Sequence, residues 1–155
     1  MKSFLLLGSL LTLASNFAYS ASDNAQALQT VESAISIAHQ SDLDFGTAVQ
    51  GDAQLTVDPD SVETASNASF LVTGEPNKAY TITLPSDGDV VMITNGGATT
   101  DEQISVNSFT SSPSGGGMLD GSGQEELFVG ATREALHPTQ LSGDYSDSFT
   151  VTVVY

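Results

Sequence analysis

Cysteine is absent from the chain, and positively charged residues are scarce. The 155 residues include no cysteine, two histidines and three lysine or arginine side chains, against 19 acidic residues. Without cysteine, the chain offers neither disulfides nor thiolate ligands for a metal. Nucleic acids and anionic lipids are bound by clustered lysine and arginine, which a chain with a formal net charge of −16 does not provide. We therefore expect no nucleic-acid partner and no binding to anionic membranes.

Long apolar runs are also missing, apart from one near the start. Residues 4–13 are mostly apolar, but the run is only about half the roughly 20 residues that span a bilayer. Lys2 precedes it, and Ala18-Tyr19-Ser20 follows with the small-x-small pattern of a signal-peptidase site. Residues 1–20 are therefore predicted to be a signal peptide that is cleaved before Ala21. We expect export to the periplasm, the cell surface or the medium, without membrane insertion after the signal is removed.

Residues 21–155 are long enough for one domain with its own core and too short for two ordinary domains. Within this domain, residues 21–30 are a candidate flexible N-terminal extension. Only Lys78 and Arg133 oppose the 19 acidic residues here, so the formal charge of this part is −17. The acidic residues are scattered, and no run is longer than two residues, as at Glu125-Glu126. This pattern indicates a solvated acidic surface that resists non-specific association.

The clearest secondary-structure signal lies in residues 143–155. Apolar and polar residues alternate along 148–153, and this period of two is typical of a strand with one apolar face. An uncovered apolar strand is an aggregation site, so this strand must be covered by its own domain or by a partner. We predict that residues 148–155 are the strand that determines folding and assembly. Its key residues are Gly143, Phe149, Val151, Val153 and Tyr155.

Turn residues divide the rest of the mature chain into short strands. Strands are predicted over residues 31–39, 53–57, 68–73, 79–84, 90–94, 104–109 and 126–131, with a short strand or edge at 43–46. The Ser- and Gly-rich residues 111–117 are predicted to be a flexible loop. About eight or nine short strands without a convincing long helix predict an all-β, antiparallel, immunoglobulin-like β-sandwich. Its predicted core is Phe70, Val72, Tyr80, Ile82, Leu84, Phe128, Phe149, Val151 and Val153.

Patterns for catalysis or metal binding are sparse. No Gly-x-Ser-x-Gly nucleophile elbow is present, and no cysteine joins His39 and His137 as metal ligands. We interpret His39 as a residue at the edge of the core and His137 as a loop residue. Asp42-x-Asp44 and Asp58-x-Asp60 have a spacing that calcium loops use, but neither continues into a complete calcium loop. We predict no enzymatic activity, no catalytic residue, no cofactor and no metal, with calcium at these acidic turns as the minority alternative.

Six short segments of the mature chain can be compared, in order, with known families. They are residues 43–46, 68–74, 80–85, 127–132, 140–145 and 149–155. In this order they resemble a family of exported bacterial proteins called domain of unknown function 4402, and the span from residue 43 to residue 155 covers most of the mature chain. The resemblance implies a compact exported β-sandwich, and it implies no established activity.

The last strand carries a second resemblance. Gly143 stands twelve residues before Tyr155, with alternating apolar residues between them. This spacing is similar to that in the last strand of chaperone–usher pilins and spore-coat-U-like proteins. The resemblance implies recognition by a periplasmic chaperone through strand addition, and polymerisation through donated N-terminal strands. Here the tyrosine is the last residue rather than the penultimate one, and residues 21–29 offer only Ala25, Ala27 and Leu28 as apolar donor side chains.

Together these features predict an exported, non-catalytic structural protein of the cell envelope, either a pilin-like subunit or a surface or matrix component. The expected partners are other copies of the chain, related subunits and a periplasmic chaperone. An adhesin or glycan-binding sandwich that uses its loops is the alternative.

Overall fold

The computed structural model describes residues 19–155, which fall into two units. The first unit is Met1–Val31, and its described part, residues 19–31, contains no helix or strand and has exposed side chains. The predicted signal peptide lies outside the described residues, except for Tyr19 and Ser20. The second unit is Glu32–Tyr155 and contains every strand described below. No helix in residues 19–155 is long and apolar enough to cross a membrane.

The second unit consists of nine strands and one short 3₁₀ helix, Thr100–Glu102. The strands are β1 (Ser36–Ser41), β2 (Leu55–Val57), β3 (Ala68–Thr73), β4 (Ala79–Thr83), β5 (Val90–Ile93), β6 (Gln103–Ser112), β7 (Gly116–Met118), β8 (Gln124–Arg133) and β9 (Thr152–Val154). One sheet has the order β1-β3-β8-β6-β5, with β2 also paired to β8, and the other has the order β7-β4-β9. All of these pairs are antiparallel. This architecture confirms the predicted all-β sandwich.

Two local predictions are wrong. Residues 43–46 form no strand. In the predicted loop 111–117, residues 111–112 belong to β6 and residues 116–117 belong to β7, which pairs with β4. β7 has no alternating apolar pattern because its first two residues are glycines. A Cβ atom at Gly116 would lie 2.6 Å from the Tyr80 carbonyl oxygen, so the two backbones approach in a way that only glycine permits.

Strands β2 and β3 both pair with β8 and are separated by a loop, residues 58–67, which we call excursion 58–67. Val57 pairs with Ala131, and Ala68 pairs with Val129. Between these two pairs β8 has one residue, Gly130, whereas the opposite side has the ten residues 58–67. The excursion crosses the backbone of β8 closely. A Cβ atom at Gly130 would lie 2.6 Å from Pro59 N and closer still to the carbonyl oxygen of Val57.

Asn67 holds this excursion together. Its side chain is completely buried, and its Nδ2 donates hydrogen bonds to the carbonyl oxygens of Pro59 at 2.6 Å and Val62 at 2.9 Å. The Thr64 backbone N–H donates to Asn67 Oδ1 at 2.8 Å. These bonds satisfy polar backbone groups that would otherwise be left without partners, so one side chain fixes the shape of the loop.

The core lies between the two sheets and follows the alternation of the strands. Its fully buried members are Ala68, Val72, Tyr80, Leu119, Leu127, Val129, Val151 and Val153. The predicted core residues Phe70, Ile82, Leu84 and Phe149 are partly buried and pack against this cluster.

The prediction that Phe128 belongs to this core is wrong. Leu127 and Val129 occupy the inward positions of β8, so Phe128 points to the opposite face of the sheet, where it is nevertheless buried. Excursion 58–67 lies on that face, against Gly130. Both faces of β8 are therefore covered, and periodicity alone does not identify the inward one.

Candidate functional site

The sequence-predicted terminal strand is divided between two sheets. Only Thr152–Val154 forms a ladder, pairing with β4, whereas Ser146 forms an isolated bridge with Ile93 of β5. The chain therefore crosses from one sheet to the other between residues 146 and 152. Its apolar alternation continues through the crossing because Phe149 and Val151 enter the core there.

The structure brings together three of the five predicted residues. Val151 and Val153 are each 8% exposed and lie in one core cluster, and Phe149 packs against it. The Phe149 ring contacts Phe70 and Phe109, with centroid separations of 6.4 Å and 5.2 Å. This face of the strand is covered from within its own domain.

Tyr155 is 42% exposed and fastens the end of β9 by different contacts. Its hydroxyl donates to the Ser33 carbonyl oxygen at 3.2 Å and accepts a hydrogen bond from the Glu75 backbone N–H. Lys78 Nζ lies 4.6 Å from the centroid of the Tyr155 ring, within the range of a cation–π interaction. Lys78 also forms an ion pair with Glu32. The last residue thus connects β9 to the segment that leads into β1.

Gly143 is separate from the terminal strand and lines a cavity at the loop end of the sandwich. We call it the loop-end cavity, and its volume is about 580 Å³. Its walls are residues 43–50, Met92 of β5, Ile104 of β6, Arg133 at the end of β8, and parts of residues 136–145. No sequence pattern pointed to this cavity.

The two loop walls of the cavity are tied to each other by hydrogen bonds. The Leu136 N–H donates to the Asp52 carbonyl oxygen at 2.8 Å, and the Gly51 N–H donates to the His137 carbonyl oxygen at 3.1 Å. The Gln50 side-chain amide also donates to the Gln140 carbonyl oxygen. Because the walls hold each other in place, the cavity is largely preformed.

Gln140 connects one wall to the sheet beneath it. The side chain is buried, and its Nε2 donates to the carbonyl oxygens of Asp101 at 2.9 Å and Gln103 at 3.0 Å. Its Oε1 accepts a hydrogen bond from the His137 backbone N–H at 3.2 Å. Tyr145 Oη lies 2.8 Å from the same Asp101 carbonyl oxygen. This network positions residues 137–145 over β6.

Glu102 stabilises the turn beside this network. Its carboxylate accepts hydrogen bonds from Asn95 Nδ2 at 2.9 Å and from the Thr99 backbone N–H at 3.0 Å. These two bonds hold the pKa of Glu102 below its ordinary value of 4.5. The ionised carboxylate therefore fixes the 3₁₀ helix, whose Asp101 carbonyl oxygen receives the hydrogen bonds of the cavity wall.

The lowered pKa of Glu102 makes part of the stability pH-dependent. A carboxyl whose pKa is lower in the folded state stabilises the fold above its ordinary pKa, and this contribution is lost as the pH falls through the folded value. We expect Glu102→Gln to reduce the melting temperature at pH 7 and to approach wild type as the pH falls below about 4.5. Thermal scans between pH 7 and pH 3 measure this difference. Glu126→Gln, on the exposed surface of β8, controls for the loss of one negative charge. If the melting temperatures of wild type and Glu102→Gln differ by the same amount at every pH, the ionised Glu102 carboxylate does not stabilise the fold as described.

Arg133 is the most unusual residue of the cavity wall. It is the only arginine in the chain and is only 4% exposed. Nη1 donates to the Glu134 carbonyl oxygen at 2.8 Å and Nη2 donates to the Ala53 carbonyl oxygen at 3.2 Å. Nε is buried without a hydrogen-bond partner, and Arg133 forms no salt bridge within residues 19–155. Burial of a cation without a counterion destabilises the folded state by roughly several kcal/mol.

Each histidine lies beside an aspartate, and the two pairs are separate. His39 Nε2 is 3.0 Å from Asp42 Oδ1 on an exposed turn, and the His39 ring packs edge-on against Phe70. His137 Nδ1 is 3.4 Å from Asp101 Oδ1, in the loop that walls the cavity. Residues 19–155 bring together no group of three or more His, Asp or Glu side chains that is suited to a metal ion.

A tyrosine and a carboxylate face each other between the sheets. Tyr80 Oη and Glu125 Oε2 are both buried, and a Cβ atom at Gly117 would meet both of them. Burial, and then the Glu125 carboxylate, raise the pKa of Tyr80 well above its ordinary value of 10.0. The phenol therefore stays protonated at neutral pH.

The fold and its sites define an antiparallel β-sandwich domain with a loop-end cavity. The chain belongs to the family described as domain of unknown function (DUF4402), whose sequence profile matches residues 35–155. The match begins just before β1 and includes β9, so it spans the whole sandwich. Comparisons with curated proteins and with solved structures returned no significant match.

Proposed function

We propose that this protein is an exported, non-catalytic structural subunit of the cell envelope that joins other copies or related subunits by strand addition. The observation that carries the proposal is the arrangement of β1 and β9, which are edge strands of the two sheets and lie close to each other. Within the described residues, β1 pairs only with β3, and β9 pairs only with β4. Within residues 19–155, each strand therefore has one edge without a paired strand.

The composition of these two edges supports their use in assembly. Neither β1 nor β9 contains lysine, aspartate, glutamate or proline, although the chain carries 19 acidic residues. Sheet edges of monomeric proteins are usually blunted by charge, proline, bulges or a covering segment. β5 is covered in this way, because Ile93 bridges to Ser146 and the Val91 N–H donates to Asp147 Oδ2 at 3.2 Å. β1 has only a register shift between His39 and Ser41, at its far end.

The sequence features agree with this proposal. The leader at residues 1–20 has the pattern of a secretory signal. The spacing of Gly143 and Tyr155 resembles that in subunits that are handled by a periplasmic chaperone and are extended by donated strands. A donated strand would pair along β9 while Val151 and Val153 remain in the core.

An edge-charging variant tests the proposal. Val154 is 49% exposed on β9, so Val154→Lys adds a charge to the strand without removing a buried side chain. We expect wild type in envelope extracts to form a heat-dissociable ladder on unboiled gels, and we expect Val154→Lys to form mainly monomer with a nearly unchanged melting temperature. Val62→Lys, at another exposed valine in excursion 58–67, should keep the ladder. Equal ladders for both variants would place assembly away from β9.

A binding module, such as an adhesin or a glycan-binding sandwich, is the second candidate function. The observation that favours it is the preformed loop-end cavity with a buried arginine in its wall. Preformed clefts that combine apolar surface with convergent polar groups are typical ligand sites. A glycan array probed with the purified exported protein tests this candidate, with Ala48→Trp as a cavity-filling control.

A further inference from the structure

We propose that the loop-end cavity binds a small molecule with a single carboxylate and an apolar body, and that Arg133 holds the carboxylate. This inference rests on the second candidate function and specifies the chemical class of its ligand. It does not depend on assembly through β9.

Arg133 has hydrogen-bonding capacity that the protein leaves unused. A guanidinium has five N–H groups, and the carbonyl oxygens of Glu134 and Ala53 accept one each. Nε is among the groups without a partner. A carboxylate binds a guanidinium through two parallel, charge-assisted hydrogen bonds, which supply both the missing negative charge and the missing acceptors. The arrangement thus has the chemistry of an anion site whose counterion comes from outside the chain.

The register of β8 explains why Arg133 faces the cavity. Leu127, Val129 and Ala131 point into the sandwich, and Arg133 continues this alternation at the end of the strand. Val106, which stands opposite Arg133 on β6, is also buried. Arg133 therefore lines the cavity at the margin of the apolar core.

The walls determine what the rest of the ligand must be. About half of the cavity wall is apolar, and this part comes from both loops and both neighbouring strands: Leu43, Phe45, Val49, Met92, Ile104 and Leu136. A volume of about 580 Å³ accommodates a medium-sized aliphatic or aromatic body. Burial of that body contributes the hydrophobic part of the affinity.

The cavity also contains a feature that selects against highly charged ligands. Asp44 and Asp144 line it and are exposed to solvent, whereas Arg133 is buried. A phosphate ester or another polyanion would approach these two carboxylates, on a chain with a formal charge of −16, before it reached Arg133. A monocarboxylate needs only the one positive charge that the site contains.

Calorimetry with a matched pair of probes tests the inference. The probes are decanoate and decanol, both below the concentration at which they aggregate, titrated into the purified exported protein. We expect saturable binding of decanoate and much weaker binding of decanol. Arg133→Gln removes the charge, and we expect it to weaken decanoate binding roughly 10- to 100-fold, the range for loss of a hydrogen bond to a charged group.

Two further variants keep the test valid if Arg133→Gln does not fold. Ala48 is exposed and lines the cavity, so Ala48→Trp should block decanoate binding while the protein remains folded. Ala65→Trp, at an exposed alanine in excursion 58–67, should bind decanoate like wild type.

The possible results test the proposed ligand class and the proposed binding function separately. Equal affinity for decanoate and decanol, or an Arg133→Gln protein that binds decanoate like wild type, would overturn the role of Arg133 and leave an apolar binding site. If neither probe binds wild type, the inference is wrong, and a positive glycan array would still support a binding module.

Discussion

Deleting residues 151–155 should leave no folded protein outside the cytoplasm. The deletion removes β9, and with it the ladder along β4 and the buried side chains of Val151 and Val153. It also removes the Tyr155 contacts with Ser33 and Glu75. Small domains are stable by only about 5–15 kcal/mol, so the loss of an entire core strand exceeds what the fold can tolerate. Immunoblots of exported fractions, with total cell protein as the reference, measure the effect.

Single substitutions in residues 151–154 show whether a loss of stability comes from removing a buried side chain or from substitution at any position. Truncating Val151 or Val153 to alanine should lower the free energy of unfolding by roughly 1–3 kcal/mol each, because each removes buried methyl groups and leaves a cavity. Val154→Ala, on the exposed side of β9, should change it by less than about 0.5 kcal/mol. Urea denaturation of the three purified variants gives these values. Equal losses at all three positions would contradict the assigned orientation of the strand.

Gly130→Ala should strongly destabilise the second unit. The added Cβ atom would lie 2.6 Å from Pro59 N and 2.7 Å from the Asp58 carbonyl carbon, and both are backbone atoms that cannot rotate away. Either β8 or excursion 58–67 must then move, and Asn67 fixes the excursion from within. We expect a loss of about 3 kcal/mol or more, at the upper end of the range for overpacking.

Gly121→Ala is the matched control for this substitution. An added Cβ atom at Gly121 meets no atom within 4 Å, so we expect its urea midpoint to stay close to that of wild type. If Gly130→Ala and Gly121→Ala unfold at the same urea concentration, excursion 58–67 does not pack on β8 as described.

The strands that sequence analysis located best are those with an undisturbed alternation. β3 is Ala68–Thr73, as predicted, and β4 differs from its prediction by one residue. In both strands one face meets the core, so the pattern of side chains reports the structure directly. β7 was missed because glycines carry no such pattern, and its pairing depends on the close approach of β4.

The loop-end cavity could not be predicted because its walls are distant in the sequence. Residues 43–50 and 136–145 are brought together by two backbone hydrogen bonds, which join Gly51 to His137 and Leu136 to Asp52, and by the Gln50 side chain. The backbone bonds leave no trace in side-chain identity. Arg133 did offer a signal. It is the only arginine of a strongly acidic chain. Alternation did not place it inward, because it lies two residues beyond the predicted strand 126–131 and the predicted core residue Phe128 put the other face of that strand inward.

The proposed assembly role and the internal covering of β9 are compatible. Val153 of β9 points into the core, whereas strand addition uses the backbone groups along the outer edge of the strand. The domain can therefore be stable as a single chain and still accept a further strand.

The most direct test of this account is the mass of the wild-type protein released from envelopes without heating. Size-exclusion chromatography with light scattering should give multiples of the mass of one mature chain, and brief boiling should reduce them to that single mass. A protein that is strictly monomeric in native envelope extracts and at every concentration would contradict the proposal that it is a structural subunit.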